Sequence, residues 1–223
     1  VRGVPGLSKI PGLGALFRLG RGDEVEAFLA EQRSRVGDSH DTAEQVLLHA
    51  NFATVRAARG DVIGALEHGR QALEWAMQSQ NLFHRALGHT ERGRGLLSAG
   101  RLDEALEQLE QAMVLALDRA VGKGFAIGVG LPLLAETQLR RGDVAAARAA
   151  AERGIELART MGYRHAEATN LIALARALVA AGDTAGADTT LAHASELTTA
   201  MDARDLPPRI EETRAELARH RGD

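Results

Sequence analysis

The sequence predicts an all-α fold, a solenoid of antiparallel helix pairs, and three observations support that prediction. A turn glycine followed five residues later by alanine recurs along the chain. Successive turn glycines are 38, 40, 42, 40 and 40 residues apart, and a period of this length is typical of repeat proteins. No segment shows the sustained alternation of apolar and polar residues that a half-buried strand requires. The turn glycines are Gly22, Gly60, Gly100, Gly142 and Gly182, and Gly222 begins the pattern again.

The turn glycines divide the chain into the predicted helices. Residues 1–22 are rich in glycine and proline, which interrupt long helices, so we expect an N-terminal arm or linker there. Residues 23–223 carry apolar residues at helical spacing and form the predicted repeat domain. We expect a helix over about 23–36 and then four pairs, about 42–59 with 62–79, 83–99 with 102–119, 124–141 with 143–161, and 163–181 with 184–200. A last helix over 208–220, polar on most sides, is expected to cap the solenoid.

Small residues occupy fixed places around each turn. Two helices that cross at short range need small side chains at the crossing, because a large one would push their axes apart. The glycine itself ends the first helix of a pair in the left-handed conformation. An aspartate after the glycine, at 61, 143 and 183, can cap the second helix. The small positions are Ala53, Gly93, Ala135, Ala175 and Ala215 before the turns, Ala65, Ala105, Ala147 and Ala187 after them, and Ala72, Ala112, Gly154 and Ala194 further on.

The start of the third pair is irregular. Four glycines and Pro132 lie between residues 122 and 132, where a smooth helix is expected. A glycine-rich string can bind phosphate, but the lysine and hydroxyl residue of a P-loop are missing after it. A kinked or closely packed helix is the favoured interpretation, since proline removes a backbone donor and crowds the preceding turn. We expect the superhelix to deviate here.

The composition and motif content of the chain argue against several classes of function. A net charge of −3 provides no global field for nucleic acid, so no direct nucleic-acid partner is expected. The chain has no cysteine, which fits a cytoplasmic protein and removes thiolate chemistry. No apolar run is long enough to span a membrane. No His-Glu-x-x-His, Gly-x-Ser-x-Gly or similar catalytic pattern occurs, so we predict no enzyme, no metal and no cofactor.

The turn pattern and its three sets of small residues resemble the tetratricopeptide repeat (TPR) over residues 23–223. The period of about 40 residues is similar to that of the long repeats in maltose-regulator-type bacterial activators and related regulatory ATPases. The segment from Gly142-Asp143 through Ala147 to Ile155-Glu156-Leu157-Ala158-Arg159 carries this likeness best. The resemblance implies a right-handed α-solenoid of about four full repeats plus partial end repeats. It also implies a concave face, lined by the first helix of each pair, that binds proteins, peptides or small inducers.

On that basis the candidate groove residues are those about ten, nine, six and two to three places before each turn glycine. The charged members lend themselves to two interpretations. They form solvated ion pairs between neighbouring helices, or they are convergent polar groups in a mostly apolar groove that binds an amphipathic peptide. The candidates are Asn51, Thr54, Glu91, Arg94, Leu97, Leu133, Glu136, Leu139 and Arg176.

The preferred functional hypothesis is a non-catalytic scaffold that binds a protein or peptide segment in this groove. Further possible occupants are the chain's own N-terminal arm or other domains. The alternative is a ligand-sensing or oligomerisation domain of a larger bacterial transcriptional or signalling regulator. An enzyme is the third hypothesis, and a deep pocket with converging histidines and carboxylates would favour it.

Overall fold

A computed structural model describes residues 22–36, 39–117, 124 and 126–222, and these form an all-α, right-handed helical solenoid. The expected N-terminal arm lies outside the described residues, apart from Gly22. Ten α-helices and one short π-helical segment occupy the described part of the chain. The helices are α1 Gly22–Val36, α2 Thr42–Ala58, α3 Val62–Met77, α4 Leu82–Ser98, α5 Leu102–Ala116, α6 Leu131–Arg140, α7 Val144–Met161, α8 Arg164–Ala180, α9 Thr184–Ala200 and α10 Pro207–Arg221.

The turns within the pairs form as predicted. The turn glycines at 60, 100, 142 and 182 have φ between +72° and +87°, where a side chain would be strained. The aspartate after a turn glycine forms hydrogen bonds with both helices of the pair. The N–H of Asp143 donates to the carbonyl of Gln138 (2.9 Å), and its carboxylate accepts from the N–H of Ala146 (2.9 Å). Asp61 and Asp183 do the same, so the sequence marks these helix boundaries locally.

The first helices of neighbouring pairs lie on the inside of the curve. Direct helix contacts join α2 to α4, α6 to α8, and α8 to α10, whereas the second helices α3, α5, α7 and α9 barely touch one another. Helices on the inside of a curved array are closer together than those on the outside, so the first helices line the concave side. We call the surface formed by α2, α4, α6, α8 and α10 the inner face.

Small residues allow the helices to approach as closely as they do. A Cβ on Gly95 would lie 2.6 Å from the carbonyl oxygen of Ala65, and one on Gly69 would lie 2.4 Å from that of Glu91. Nearly all the alanines predicted at crossings are buried, including Ala53, Ala65 and Ala175 at 0% exposure. Ala215 is exposed instead, because no described helix packs on that side of α10. Close backbone contact therefore sets the helix spacing within and between the pairs.

The third pair deviates from a smooth helix, as expected. Instead of one helix over 124–141, a π-helical segment at Ala126–Gly130 leads into α6. A π-helix pairs each carbonyl with the N–H five residues on, and five residues after Ile127 stands Pro132, which has no N–H. The side-chain amide of Asn170, from α8, donates to the Ile127 carbonyl at 2.9 Å. The buried Asn170 thus replaces the donor that proline removes.

Gly154 makes room for this side chain. A Cβ at position 154 would lie 1.9 Å from Oδ1 of Asn170. Only a glycine at position 154 of α7 leaves room for the Asn170 side chain of α8, which reaches the π-helical segment.

We predict that Gly95→Ala destabilises the protein although alanine is the better helix former. The added methyl group would meet the backbone of α3, which cannot rotate away, and overpacking of this kind costs about 1–3 kcal/mol. Gly128→Ala is the matched control, because its Cβ would have nothing within 4 Å. Thermal and denaturant unfolding should show a lower free energy of unfolding for the first variant alone. Equal stability of the two variants would contradict the packing argument.

We also predict that Asn170→Ala lowers the free energy of unfolding by about 1–3 kcal/mol, because it leaves the buried carbonyl of Ile127 without a donor. The loss should be smaller in a Pro132→Ala background. There the backbone N–H of residue 132 is restored, and the Ile127 carbonyl gains a main-chain donor in either a π- or an α-helical turn. A double-mutant cycle measured by urea unfolding checks this, and strict additivity of the two changes would contradict it.

Candidate functional site

One side chain per repeat lies in the same register along the inner face. Counting six residues back from each turn glycine gives Thr54, Arg94, Glu136, Arg176 and Glu216. Because the repeats stack with a nearly constant period, side chains at equivalent positions of successive first helices become spatial neighbours. We call this row the inner-face ladder.

The first part of the ladder is a local cluster around Glu91. The Thr54 hydroxyl donates to Oε2 of Glu91 (3.0 Å), and Nε of Arg94 donates to the same oxygen (2.8 Å). The Glu91 side chain is only 3% exposed. A buried carboxylate requires such partners, because desolvation without compensation is costly. Thr54, Glu91 and Arg94 therefore hold α2 against α4.

The second part of the ladder is bridged by Arg176. Its guanidinium donates to Glu136 on α6 through Nη1 and to Oε2 of Glu216 on α10 through Nε (3.4 Å). One arginine thus connects three successive first helices. The three side chains are 26–28% exposed, so the ion-paired groups still reach solvent.

The ladder changes its connectivity between Arg94 and Glu136. Among the described residues no ion pair joins these two side chains, and α4 makes much weaker direct contact with α6 than α2 makes with α4. The π-helical segment and the 42-residue step lie at this point. The long side chain of Arg140 crosses the gap and donates to the carbonyl of Leu97 at 2.7 Å.

The apolar candidates occupy different environments. Leu97 is buried, with 7% exposure, and belongs to a small core with Leu96 and Ala105, against which Leu133 packs. Leu139 and Asn51 are half-buried on the inner face. The structure brings the charged candidates together in two separate ion-paired groups, one around Glu91 and one around Arg176. Whether any candidate binds a partner stays a prediction.

Sequence reasoning missed the residues that α10 and the loop before it add to the inner face. Glu216 continues the ladder, and Asp205 pairs with Nε2 of His165 at 3.0 Å, again from positions 40 residues apart. The same shift relates Glu136 to Arg176 and Arg176 to Glu216. Applying the 40-residue shift to every polar residue, rather than to four chosen positions, would have found them.

Arg209 is a further inner-face residue that the candidate set lacks. It lies seven residues before Glu216 on α10, so both side chains are on the same face of the helix. Arg209 is exposed to solvent. Desolvation by the surrounding protein, followed by the nearby charge of Arg176, lowers the pKa of Arg209.

A pair of histidines lies between α2 and α3. Nδ1 of His49 and Nδ1 of His68 are 3.0 Å apart, so one ring donates to the other, and the His68 ring stacks on Phe52 with centroids 4.7 Å apart. Burial and the facing His68 lower the pKa of His49 from 6.5 to about 4. Burial and the charge of Arg56 also lower the pKa of His68. The described residues contain no group of three or more side chains suited to holding a metal ion.

The convex side carries a shallow groove of about 590 Å³ between α7 and α9. Its floor is apolar, from Ile155, Leu171 and Leu174, and its rim includes Glu156 and His193.

Every described helix is too short or too polar to cross a membrane.

A family model for the MalT-like TPR region matches residues 26–223. The chain belongs to this family. The prediction of long TPR-type repeats is thereby confirmed. A crystal structure of putative kinesin light chain nearly identical TPR-like repeats from Podosopora anserina aligns with this MalT-like TPR chain at a TM-score of 0.54 and 20% identity. The alignment covers 89% of this chain and 99% of that one, and at this identity it shows the shared fold alone. No curated protein matches the sequence.

The TPR-type fold supports a protein-interaction scaffold in general, and TPR families are generally non-catalytic. In this MalT-like TPR chain the repeat architecture places pre-positioned charged side chains on the inner face. An ordered surface of this kind loses less conformational entropy on binding than a mobile one.

We predict that the stability of the protein falls as the pH is lowered from about 6.5 toward 4. Because the folded-state pKa of His49 lies below its unfolded value, the unfolded chain binds more protons in this range. Unfolding midpoints measured between pH 7 and pH 4.5 should fall less steeply for His49→Gln than for the wild type. Exchange of the exposed His220 for glutamine is the control, and an unchanged slope in His49→Gln would contradict the assignment.

Proposed function

We propose that this chain is a non-catalytic scaffold that binds a protein or peptide segment on its inner face. The supporting observation is the inner-face ladder, in which Glu136, Arg176 and Glu216 are fixed by ion pairs across three repeats and remain partly exposed. Binding to such a surface requires little rearrangement, and the aliphatic side chains between the charges supply apolar contact. The chain's own N-terminal arm, other domains of a longer protein, and a separate protein are the proposed sources of that segment.

The family supports a second candidate. A match to the MalT-like TPR region favours a ligand-sensing or oligomerisation domain within a larger bacterial regulator that acts in the cytoplasm. The coding sequence on either side of this chain tests the candidate. An ATPase or DNA-binding domain in the same reading frame supports it, and its absence on both sides argues against it.

We predict that peptides selected for binding to the wild-type protein bind more weakly to the Leu139→Glu variant and to the Asn51→Glu variant. Each substitution adds a negative charge at a half-buried position of the inner face. The matched controls are Ile63→Glu and Val114→Glu, whose wild-type side chains are 81% and 71% exposed on the outer helices. We expect about tenfold weaker binding in the first pair, from an unpaired buried charge at the interface. Binding can be measured by fluorescence anisotropy with the intact chain.

Circular dichroism establishes that each variant is folded before binding is compared. Equal affinity of all four variants would rule out the inner face as the binding surface. A larger loss in Ile63→Glu or Val114→Glu would move the binding site to the outer helices.

A further inference from the structure

Two histidine side chains face each other between α2 and α3. The Nδ1 atoms of His49 and His68 are 3.0 Å apart, and the centroids of the two rings are 5.3 Å apart. The centroid separation is close to the Nδ1–Nδ1 distance plus the two ring radii, which is the largest separation that this contact allows. The two nitrogens therefore lie on the line between the rings, and their lone-pair directions point at the same position.

The pair is oriented by its surroundings. The His68 ring stacks on the buried Phe52, with centroids 4.7 Å apart and 18° between the ring planes. His49 lies on α2 and His68 on α3, so the two nitrogens come from different helices. Both histidines are half-buried, and the site is therefore accessible from solvent. Side chains fixed in this way lose little conformational entropy when an ion binds.

The contact between the rings can become a pair of metal donors. A neutral imidazole carries one N–H, so one ring donates from Nδ1 and the other accepts. If the donor ring takes the tautomer with its proton on Nε2, both Nδ1 atoms have free lone pairs, and no net proton is lost. The nitrogen of a neutral imidazole is the commonest metal ligand in proteins.

The number and direction of these donors select the class of ion. Zinc takes three or four protein ligands, and the described residues contain no group of three or more side chains suited to a metal ion. Ions that bind two nitrogens at a tetrahedral or right angle would also lie off the line to which these lone pairs point. A monovalent copper ion accepts two imidazole nitrogens in line and needs no further ligand.

We propose that His49 and His68 form a two-coordinate site for a monovalent copper ion, bound through the two Nδ1 atoms that face each other. Metal–imidazole bonds are about 2 Å long, so the two nitrogens separate by about 1 Å when the ion enters. Rotation of the half-buried side chains provides this movement. The site joins α2 to α3 and is independent of peptide binding on the inner face. Sequence motifs gave no sign of it, because the two histidines belong to different helices.

The next repeat provides a matched comparison. Forty residues along, Nδ1 of His89 contacts Oε1 of Gln108 at 2.9 Å, again between a first and a second helix. An amide oxygen there takes the place of the second imidazole nitrogen, and carbonyl oxygens suit harder ions than monovalent copper. Because the fold accommodates glutamine at this position of the repeat, His68→Gln should leave the structure intact.

The test measures binding of monovalent copper to the intact, chelator-treated chain under anaerobic conditions, in competition with the coloured chelator bathocuproine disulfonate. We expect the wild type to bind one ion. His49→Gln and His68→Gln should bind it at least about a hundredfold more weakly, because loss of a direct ligand costs more than loss of a residue that supports one. His89→Gln is the control and should bind as the wild type does. Gln108→His should bind a second ion, because it reproduces the pair one repeat along.

X-ray absorption spectroscopy of the copper-loaded wild type identifies the coordination. We expect two nitrogen ligands with the scattering pattern of imidazole rings. Three or four ligands would overturn the choice of ion. The same conclusion would follow if divalent zinc bound as tightly as copper and depended equally on both histidines.

Copper affinity that is unchanged in both His49→Gln and His68→Gln would overturn the site, as would an equal loss in His89→Gln. A single bound ion in Gln108→His would show that facing nitrogens do not hold the metal. Copper should raise the unfolding temperature only where the pair is intact, because an ion that binds the folded state stabilises it. Unfolding of each variant without copper separates a folding defect from the loss of a ligand.

Discussion

The close approach of helix backbones is the constraint on which this structure depends. Glycine and alanine stand wherever two helices cross, and at Gly69 and Gly95 even a methyl group would meet a carbonyl oxygen of the neighbouring helix. Aromatic residues make up only 3% of the chain, and the buried apolar residues form several separate clusters of unequal size. The spacing and register of the helices follow from these contacts, and the composition of the inner face follows from the register.

The inner-face ladder is a direct result of a nearly constant period. Residues 40 apart become neighbours, so a single position in the repeat forms a row of side chains from helix to helix. The charges in that row alternate in sign, so Arg176 forms ion pairs with the two glutamates on either side of it. The ladder therefore contributes to helix stacking and, because it stays partly exposed, to the surface available for a partner.

Local signals made most of the fold predictable from sequence. The turn glycines and capping aspartates act within a few residues, so most helix boundaries agree with expectation to within a few residues; the exception is the start of α6, which lies at Leu131 instead of about 124. The support of Asn170 for the π-helical segment was not predictable, because it joins residues 43 apart through one side chain. The charged groove candidates were predicted as one set. In the structure they form two ion-paired groups, one around Glu91 and one around Arg176, because α4 and α6 make little contact. Arg209 was missed because it lies thirteen residues before its turn glycine, beyond the positions considered.

The weak contact between α4 and α6 gives the solenoid a compliant joint. Elsewhere, neighbouring first helices press against each other, and bending would compress close-packed atoms. At this joint the inner side is spanned by Leu133 against the Leu97 cluster and by the long side chain of Arg140, which can extend or rotate. By this packing argument a change in curvature is least costly at the joint between α4 and α6. Such a change would shift the half of the inner face around Glu91 relative to the half around Arg176.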